Sequence, residues 1–479
     1  RSATKVTADI LAKAVNLKVV GRAGIGVDNV DIPAATAAGV VVMNTPFGNA
    51  VTTAEHAISM LLASTRQIPQ AHQSTVSGKW EKSRFMGAEI SGKRLGIIGC
   101  GNIGAIVADR AQGLKMKVLG YDPFLTEDRA KQLGIEKVEL DELFAQADYI
   151  TLHTPLTDAT RNIISADAIN KMKKGVRIVN CARGGLVDEM ALYAAMKNGH
   201  VASAALDVFE TEPARESPLF ELDTLVATPH LGASTTEAQE KVALQVAEQM
   251  ADYLNNGAVS NALNMASVTA EEAPVLKPYM ALGKLLGQFV GQVGSSEITS
   301  VRLEFDGKSS KINEAPVMAS TLSGLLGPIM DSVNMVNATA IASSNGIAVA
   351  TVKHDRRCDY ETMLRLTVVY KDGERTIVGT LIGGDKPRLI EVQNISIESD
   401  FPQNMLYLRN YDKPGFIGSL GSLIGKLGLN IATFHLGRKE AGGEAISLIE
   451  VDGEVAPDTL ESIRNLEQVV RADYLKFAN

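Results

Sequence analysis

Six apolar runs recur between Arg94 and His230: RLGIIG, KVLGYD, YITLHTP, VRIVNCA, AALDVF and TLVATP, and each is separated from the next by a helix-like stretch. Runs that are apolar throughout belong to strands buried on both faces, and strands in alternation with helices make a parallel sheet. Such a sheet gathers the carboxyl ends of its strands on one rim, where ligands bind. The pattern therefore predicts an α/β fold in which the residues just beyond the strands carry the chemistry.

The first of these strands runs into Gly99, Gly101 and Gly104, spaced G-x-G-x-x-G and opening a helix. Glycines in that order permit a tight turn, close approach of a pyrophosphate, and close packing of helix on strand. The helix N-terminus offers free N–H groups to an anion. The next strand ends in Asp122, 18 residues beyond Gly104. A carboxylate there accepts hydrogen bonds from ribose hydroxyls and repels a 2′-phosphate, which favours NAD over NADP. A Rossmann-type nucleotide domain is expected. Its cofactor-binding candidates are Gly99, Gly101, Asn102, Ile103, Gly104, Asp122, Thr154, Cys181, Ala182, Asp207, Gly232 and Ala233, the last two small enough to leave room beside a cofactor.

Three further residues follow strands. Arg183 lies in NCARGG, Glu212 in DVFETEP and His230 in TPHLGAST. Removal of a hydride from a secondary alcohol needs a base for the hydroxyl proton, and a histidine suits that task near neutral pH. A neighbouring carboxylate, Glu212, would fix its tautomer, and Arg183 would clamp a substrate carboxylate. Taken singly, each also reads as an ordinary turn or loop residue.

Outside this region the chain begins with a helical pattern over Thr7 to Ala14, a strand at Leu17 to Gly21 ending in Arg22, and a second strand in GVVVMNTP. A long helix is expected over Thr53 to Ser64, and another over Thr235 to Leu254 behind a capping box of Ser234 and Glu237. NALNMASVTAEEAP reads as an interdomain linker. A helix over Val275 to Val293 follows, and KDGE at Lys371 to Glu374 signals a hairpin with Asp-Gly at its turn. From Gln403 the order is β-α-β-β-α-β, which is ferredoxin-like.

A net charge of −8 argues against general nucleic-acid binding, and no run approaches the roughly 20 apolar residues that span a bilayer. Cys100, Cys181 and Cys358 show no metal-ligand spacing, so no metal is expected and a reducing, cytoplasmic setting is favoured. The chain starts at Arg1 rather than Met, which leaves an organellar targeting segment ahead of it open.

GRAGIGVDNVD, GCGNIG, YDP, NCARGG, DVFETEP and PHLGAST together resemble the D-isomer-specific 2-hydroxyacid dehydrogenases, and above all the long members of that family with two C-terminal regulatory domains. The resemblance covers essentially the whole chain. It implies an Arg183–Glu212–His230 triad, oxidation of 3-phosphoglycerate with NAD as the first step of serine synthesis, and a homotetramer. It implies a flavodoxin-like substrate-binding domain over 1–46 and 231–264, an NAD-binding domain over 47–230, an intervening regulatory domain over 265–402 and an ACT domain over 403–479. By the same likeness roughly 50 residues of the substrate domain would precede Arg1. Substrate contacts are implied for Arg1, Arg22, Asn49 and Lys82, the last in a motif that reaches a neighbouring subunit. A phosphorylated acid carries about three negative charges, so several basic residues are expected around it. The ACT domain is expected to sense L-serine through Asn410, Asp412 and Asn430, although the first of these departs from the His or Tyr of relatives. Arg356 and Arg357 are candidates for an anion site in the intervening domain. Two other readings remain open: a hydroxypyruvate or glyoxylate reductase of the same superfamily, and a non-catalytic NAD-sensing protein.

Overall fold

The computed structural model describes residues 4–46, 48–294, 296–330, 332–354 and 358–477, so Arg1, Arg356 and Arg357 lie outside the described residues. The chain forms two compact units. One comprises residues 1–22, 26–44 and 246–479, the other 23–25 and 45–245.

The first unit opens with a parallel pair, β1 (Val19–Arg22) and β2 (Val41–Asn44), paired from Val19↔Val41 to Arg22↔Asn44. Asp31 caps the short helix Ile32–Ala37 between them by accepting from Ala34 N–H at 3.0 Å.

The second unit is built on a seven-stranded parallel sheet: β3 (Arg94–Ile98), β4 (Lys117–Tyr121), β5 (Glu136–Lys137), β6 (Tyr149–Leu152), β7 (Val176–Asn180), β8 (Val201–Leu206) and β9 (Leu225–Ala227). Its order is β5-β4-β3-β6-β7-β8-β9, which reverses direction between β3 and β6. The expected apolar runs all form strands. Successive residues face opposite cores: Ile97, Val118, Val179, Ala205 and Val226 join one, and Ile98, Leu119, Ile178, Ala204 and Leu225 the other. That two-sided burial is why these strands read as continuous apolar runs. The helix expected over Thr53 to Ser64 is longer, Ala50–Arg66. The helix expected from Thr235 runs over Thr236–Asn256, and its cap is Thr235 rather than Ser234, because Thr235 Oγ1 accepts from Ala238 N–H at 3.2 Å.

Back in the first unit, β10 (Ile298–Gly307), β11 (Ala348–His354), β12 (Thr362–Tyr370), β13 (Gly373–Ile382), β14 (Lys386–Val392) and β15 (Ile395–Ser399) form one sheet, antiparallel except for the β10–β11 pair. The helices Ala273–Val293 and Glu314–Leu326 share its core, with Leu286 and Phe289 of the first helix and Leu322 and Leu325 of the second all buried. The hairpin turn falls one residue earlier than expected. Tyr370 pairs with Gly373, so Lys371 and Asp372 form the loop and Gly373, at φ 141°, begins the return strand. Nor is the segment before this domain a free linker. Asn264 donates to Val40 O at 2.9 Å and Thr36 Oγ1 at 3.1 Å, and accepts from Val42 N–H at 2.9 Å.

The last sheet has the order β17-β18-β16-β19, from β16 (Asn404–Tyr411), β17 (Ile431–Arg438), β18 (Glu444–Val451) and β19 (Val469–Lys476). With the helices Phe416–Lys426 and Pro457–Arg464 it completes the ferredoxin-like β-α-β-β-α-β order. Among the described residues no helix is long and apolar enough to cross a membrane.

Candidate active site

The glycine turn lies at the switch point of the seven-stranded sheet, between β3 and β6. Its three glycines meet different surroundings. Gly99 has φ 94°, and a Cβ there would lie 2.6 Å from His153 O on the loop after β6. At Gly104 a Cβ would lie 2.0 Å from Gly99 O, so helix and strand touch through backbone alone. A Cβ at Gly101 would meet nothing within 4 Å. Gly101 also occupies the N-cap of the helix Asn102–Gly113 without a side-chain cap. A turn held open at its middle glycine and facing uncapped N–H groups fits a pyrophosphate. Asp122 steadies the same turn, accepting from Cys100 N–H at 2.9 Å and from Phe124 N–H at 2.8 Å. Each oxygen keeps a lone pair for a ribose hydroxyl. Burial, with the Asp122 charge second, pushes the Cys100 thiol up to about 12, so it stays protonated beside the turn.

β7, β8 and β9 are adjacent and parallel, so the loops beyond them share one rim. They carry Arg183, Glu212 and His230. His230 Nδ1 lies 2.7 Å from Glu212 Oε2, and the two side chains are 47% and 36% exposed. A carboxylate only accepts here, so Nδ1 holds a proton, which in the neutral imidazole leaves the lone pair on Nε2. Glu212 is set in turn by Phe209 N–H, which donates to its other oxygen at 3.2 Å.

His230 has φ 57°, a left-handed conformation that costs a non-glycine residue free energy. Its N–H donates to Asp207 O at 2.9 Å. The Asp207 side chain, fully buried, accepts from Leu231 N–H at 2.7 Å, Gly232 N–H at 2.8 Å and the Thr228 hydroxyl at 2.5 Å. Burial alone would raise this carboxyl, but the donors aimed at it outweigh that and hold it below the ordinary carboxylate range. Asp207, a cofactor candidate by sequence, thus spends its carboxylate on anchoring the histidine loop.

The Arg183 loop has its own supports, which sequence reasoning passed over. Asn180, buried at the end of β7, accepts from Ala182 N–H at 3.0 Å and donates to Arg183 O at 2.9 Å. A Cβ on Gly184 would lie 1.8 Å from Phe209 O, so the arginine loop rests directly on the backbone that leads to Glu212. The signal was present in NCARGG itself, as a side-chain amide ahead of the arginine and a glycine behind it. Arg183 Nη1 donates to Ala182 O at 2.6 Å. Cys181 is buried in the same loop, and burial, then the Asp207 charge, pushes its thiol up.

The remaining candidates lie on several separate elements. Arg22 ends β1 in the first unit. Asn49 occupies the N-cap of Ala50–Arg66 without capping it; it is buried, and its Oδ1 has no hydrogen-bond partner among the described residues. Lys82 is exposed in the loop before β3. In the last sheet, Asn410 is buried and accepts from Ser447 Oγ at 3.0 Å, while Asp412 pairs with Arg438 and accepts from Gly442 N–H at 3.2 Å. Asn430 donates to Asp452 at 2.8 Å. Asn410 faces Ala445 at the start of β18, whereas Asn430 lies beside Asp452, just past its end. The single chain therefore does not bring Asn430 to the other two.

Fold and site define an NAD-dependent dehydrogenase of the D-isomer-specific 2-hydroxyacid class. The family model described as D-isomer specific 2-hydroxyacid dehydrogenase, NAD binding domain, matches residues 58–232; the D-3-phosphoglycerate dehydrogenase intervening domain matches 275–393 and the ACT domain 404–468. D-3-phosphoglycerate dehydrogenase of Bacillus subtilis is 41% identical over 471 residues, 98% of this chain and 90% of that protein. The protein of the same name from Methanocaldococcus jannaschii is 42% identical over 472 residues, with the same shares covered. The chain belongs to the D-3-phosphoglycerate dehydrogenase family. Among solved structures, a glyoxylate reductase from Paecilomyes thermophila aligns with a TM-score of 0.52 at 34% identity, covering 54% of this chain and 79% of that one. A D-lactate dehydrogenase from Aquifex aeolicus complexed with NAD and lactic acid aligns with a TM-score of 0.50 at 29% identity, covering 55% and 85%.

Proposed function

We propose that the chain oxidises 3-phosphoglycerate to 3-phosphohydroxypyruvate, the entry step of serine synthesis. The observation that carries this reading is the 2.7 Å His230–Glu212 dyad on the rim of an NAD-binding sheet, in a chain that matches dehydrogenases of that name over 98% of its length. NAD, when bound, accepts the hydride. His230 Nε2 takes the hydroxyl proton, Glu212 stabilises the imidazolium that results, and Arg183 holds the substrate carboxylate and so aims the carbon that gives up hydride. Arg22, Asn49 and Lys82, together with Arg1, supply the polar surroundings for the phosphate. The reading extends to four domains, with substrate-binding segments 1–46 and 231–264, an NAD-binding domain 47–230, an intervening domain 265–402 and an ACT domain 403–479.

Glyoxylate reduction, the chemistry named for the Paecilomyes thermophila structure, is a different reading, but that likeness stops at 54% of the chain and leaves the C-terminal sheets without a role. Absorbance of NADH during incubation with NAD and either 3-phosphoglycerate or D-glycerate separates the two. The expected result is turnover of the phosphorylated acid alone; a preference for the unphosphorylated acid would overturn the reading. A cytoplasmic homotetramer regulated by L-serine completes it. Asn430 stands at the far end of β18 from Asn410 and Asp412, so a serine site using all three takes Asn430 from a second copy.

A further inference from the structure

A second histidine–carboxylate pair lies beneath the first. His56 stands on the helix Ala50–Arg66, with its side chain 19% exposed. Its Nε2 lies 3.2 Å from Asp207 Oδ1 and 3.3 Å from Thr228 Oγ1. Thr228 gives its hydroxyl proton to that same Asp207 oxygen, so both atoms facing His56 Nε2 present lone pairs. Nε2 must therefore carry a proton and donate into the fork between them.

Cys181 joins this cluster: one ligand atom each of His56, Cys181 and Asp207 all lie within 4.8 Å of one another. A nitrogen, sulfur and oxygen set of this kind resembles a zinc site. The hydrogen bonds already made weigh against a metal. Asp207 Oδ1 already receives Thr228, Leu231 and His56, and Oδ2 receives Gly232. His56, Asp207 and Thr228 form a hydrogen-bonded cluster.

We propose that His56 is a positioning residue for the reaction: by donating to Asp207 and Thr228 it fixes the segment Thr228–Gly232 and, through it, the direction of the His230 imidazole. Asp207 holds Thr228, Leu231 and Gly232 by side chain and His230 by backbone carbonyl, so the whole segment hangs on one buried group. A buried carboxylate that loses a donor is driven to find water. His230, already at a costly φ, would then lose the scaffold that keeps it there. Proton transfer tolerates little of this, since displacement of the order of 1 Å costs about a hundredfold in rate.

This inference rests on His230 as the base. It is tested in the full chain with His56→Ala and with His56→Gln, whose amide donates from a similar reach. Single-turnover NADH formation, NADH affinity by fluorescence and melting temperature are measured with whichever of 3-phosphoglycerate and D-glycerate the unsubstituted chain oxidises. His56→Ala is expected to slow hydride transfer by about ten- to a hundredfold with NADH affinity within about threefold, and His56→Gln to recover most of the rate. An unchanged rate in His56→Ala, or a lower melting temperature with unchanged rate per folded enzyme, would overturn the inference alone. So would a His56→Gln variant as slow as His56→Ala. An unsubstituted chain inert to both acids would overturn the proposed function and this inference together.

Discussion

Removing the His230 imidazole takes away the proposed proton acceptor and leaves the glycine turn after β3 as it was. His230→Ala is therefore expected to lower kcat by about 10²–10⁴-fold while NADH affinity, read by fluorescence titration, stays close to that of the unsubstituted chain. Collapse of NADH binding instead would point to a cofactor role. His153, on the loop after β6, makes a different prediction. Burial pushes its pKa from 6.5 down to about 4, and its Nδ1 is buried without a partner among the described residues. The unfolded chain binds a proton at this ring below about pH 6.5, whereas the folded chain does so only near pH 4. Stability is thus lost as pH falls through that window. In His153→Gln, melting temperatures measured between pH 7 and 4 should fall less steeply; an unchanged slope would sink the account. At this scale the sequence pointed to His230, Glu212 and Arg183, because residues just past buried strands have one rim to share. It did not point to Asp207 as an anchor, to Asn180 or to His56. Their roles come from hydrogen bonds between residues as far apart as His56 and Thr228, and no spacing rule reports those.

The same division holds for elements. Six of the seven strands in the NAD-binding sheet were legible, since burial on both faces leaves an uninterrupted apolar run. The seventh, β5, is the two-residue edge strand Glu136–Lys137, exposed and polar, and nothing in its composition marks it. The cap of Thr236–Asn256 lies one residue later than expected because Ser234 and Thr235 are both N-cap residues by type, Ser the better one, and geometry chose between them. The strand–glycine turn–helix order was legible, and the structure separates the three glycines. Gly104→Ala forces a methyl group against Gly99 O and should lower the melting temperature as well as cofactor affinity. Gly101→Ala puts its methyl group into open space, where only a bound pyrophosphate would meet it. It should leave the melting temperature of the free chain nearly unchanged and weaken NADH binding by an amount on the order of tenfold. Equal losses of melting temperature in both variants would contradict the assignment of separate tasks.

On the scale of the whole molecule the question is how a small effector would use residues that one chain keeps apart. Asp412 N–H is bonded to Gly443 O before β18 begins, and Asn430 reaches Asp452 after it ends. At about 3.3 Å per residue the eight residues of β18 alone separate them by roughly 25 Å, several times the length of serine. No rotamer change closes that gap, so the three residues act on one ligand only if two copies contribute complementary halves. This makes a prediction that a single-chain site does not. Asn430→Ala and Asp412→Ala should each abolish inhibition by L-serine when tested alone. Asp412 is held below the ordinary carboxylate range chiefly by Arg438 and then by Gly442 N–H, so it stays charged near neutrality in the Asn430→Ala variant. Mixed oligomers made by co-expressing the two variants contain interfaces in which an intact Asp412 from one chain meets an intact Asn430 from the other. Partial inhibition should therefore return in the mixture, and should scale with the fraction of hybrid species resolved by differential tagging. If the mixture stays insensitive while the unsubstituted protein is inhibited, the effector does not bridge two copies, and these residues act separately in each chain.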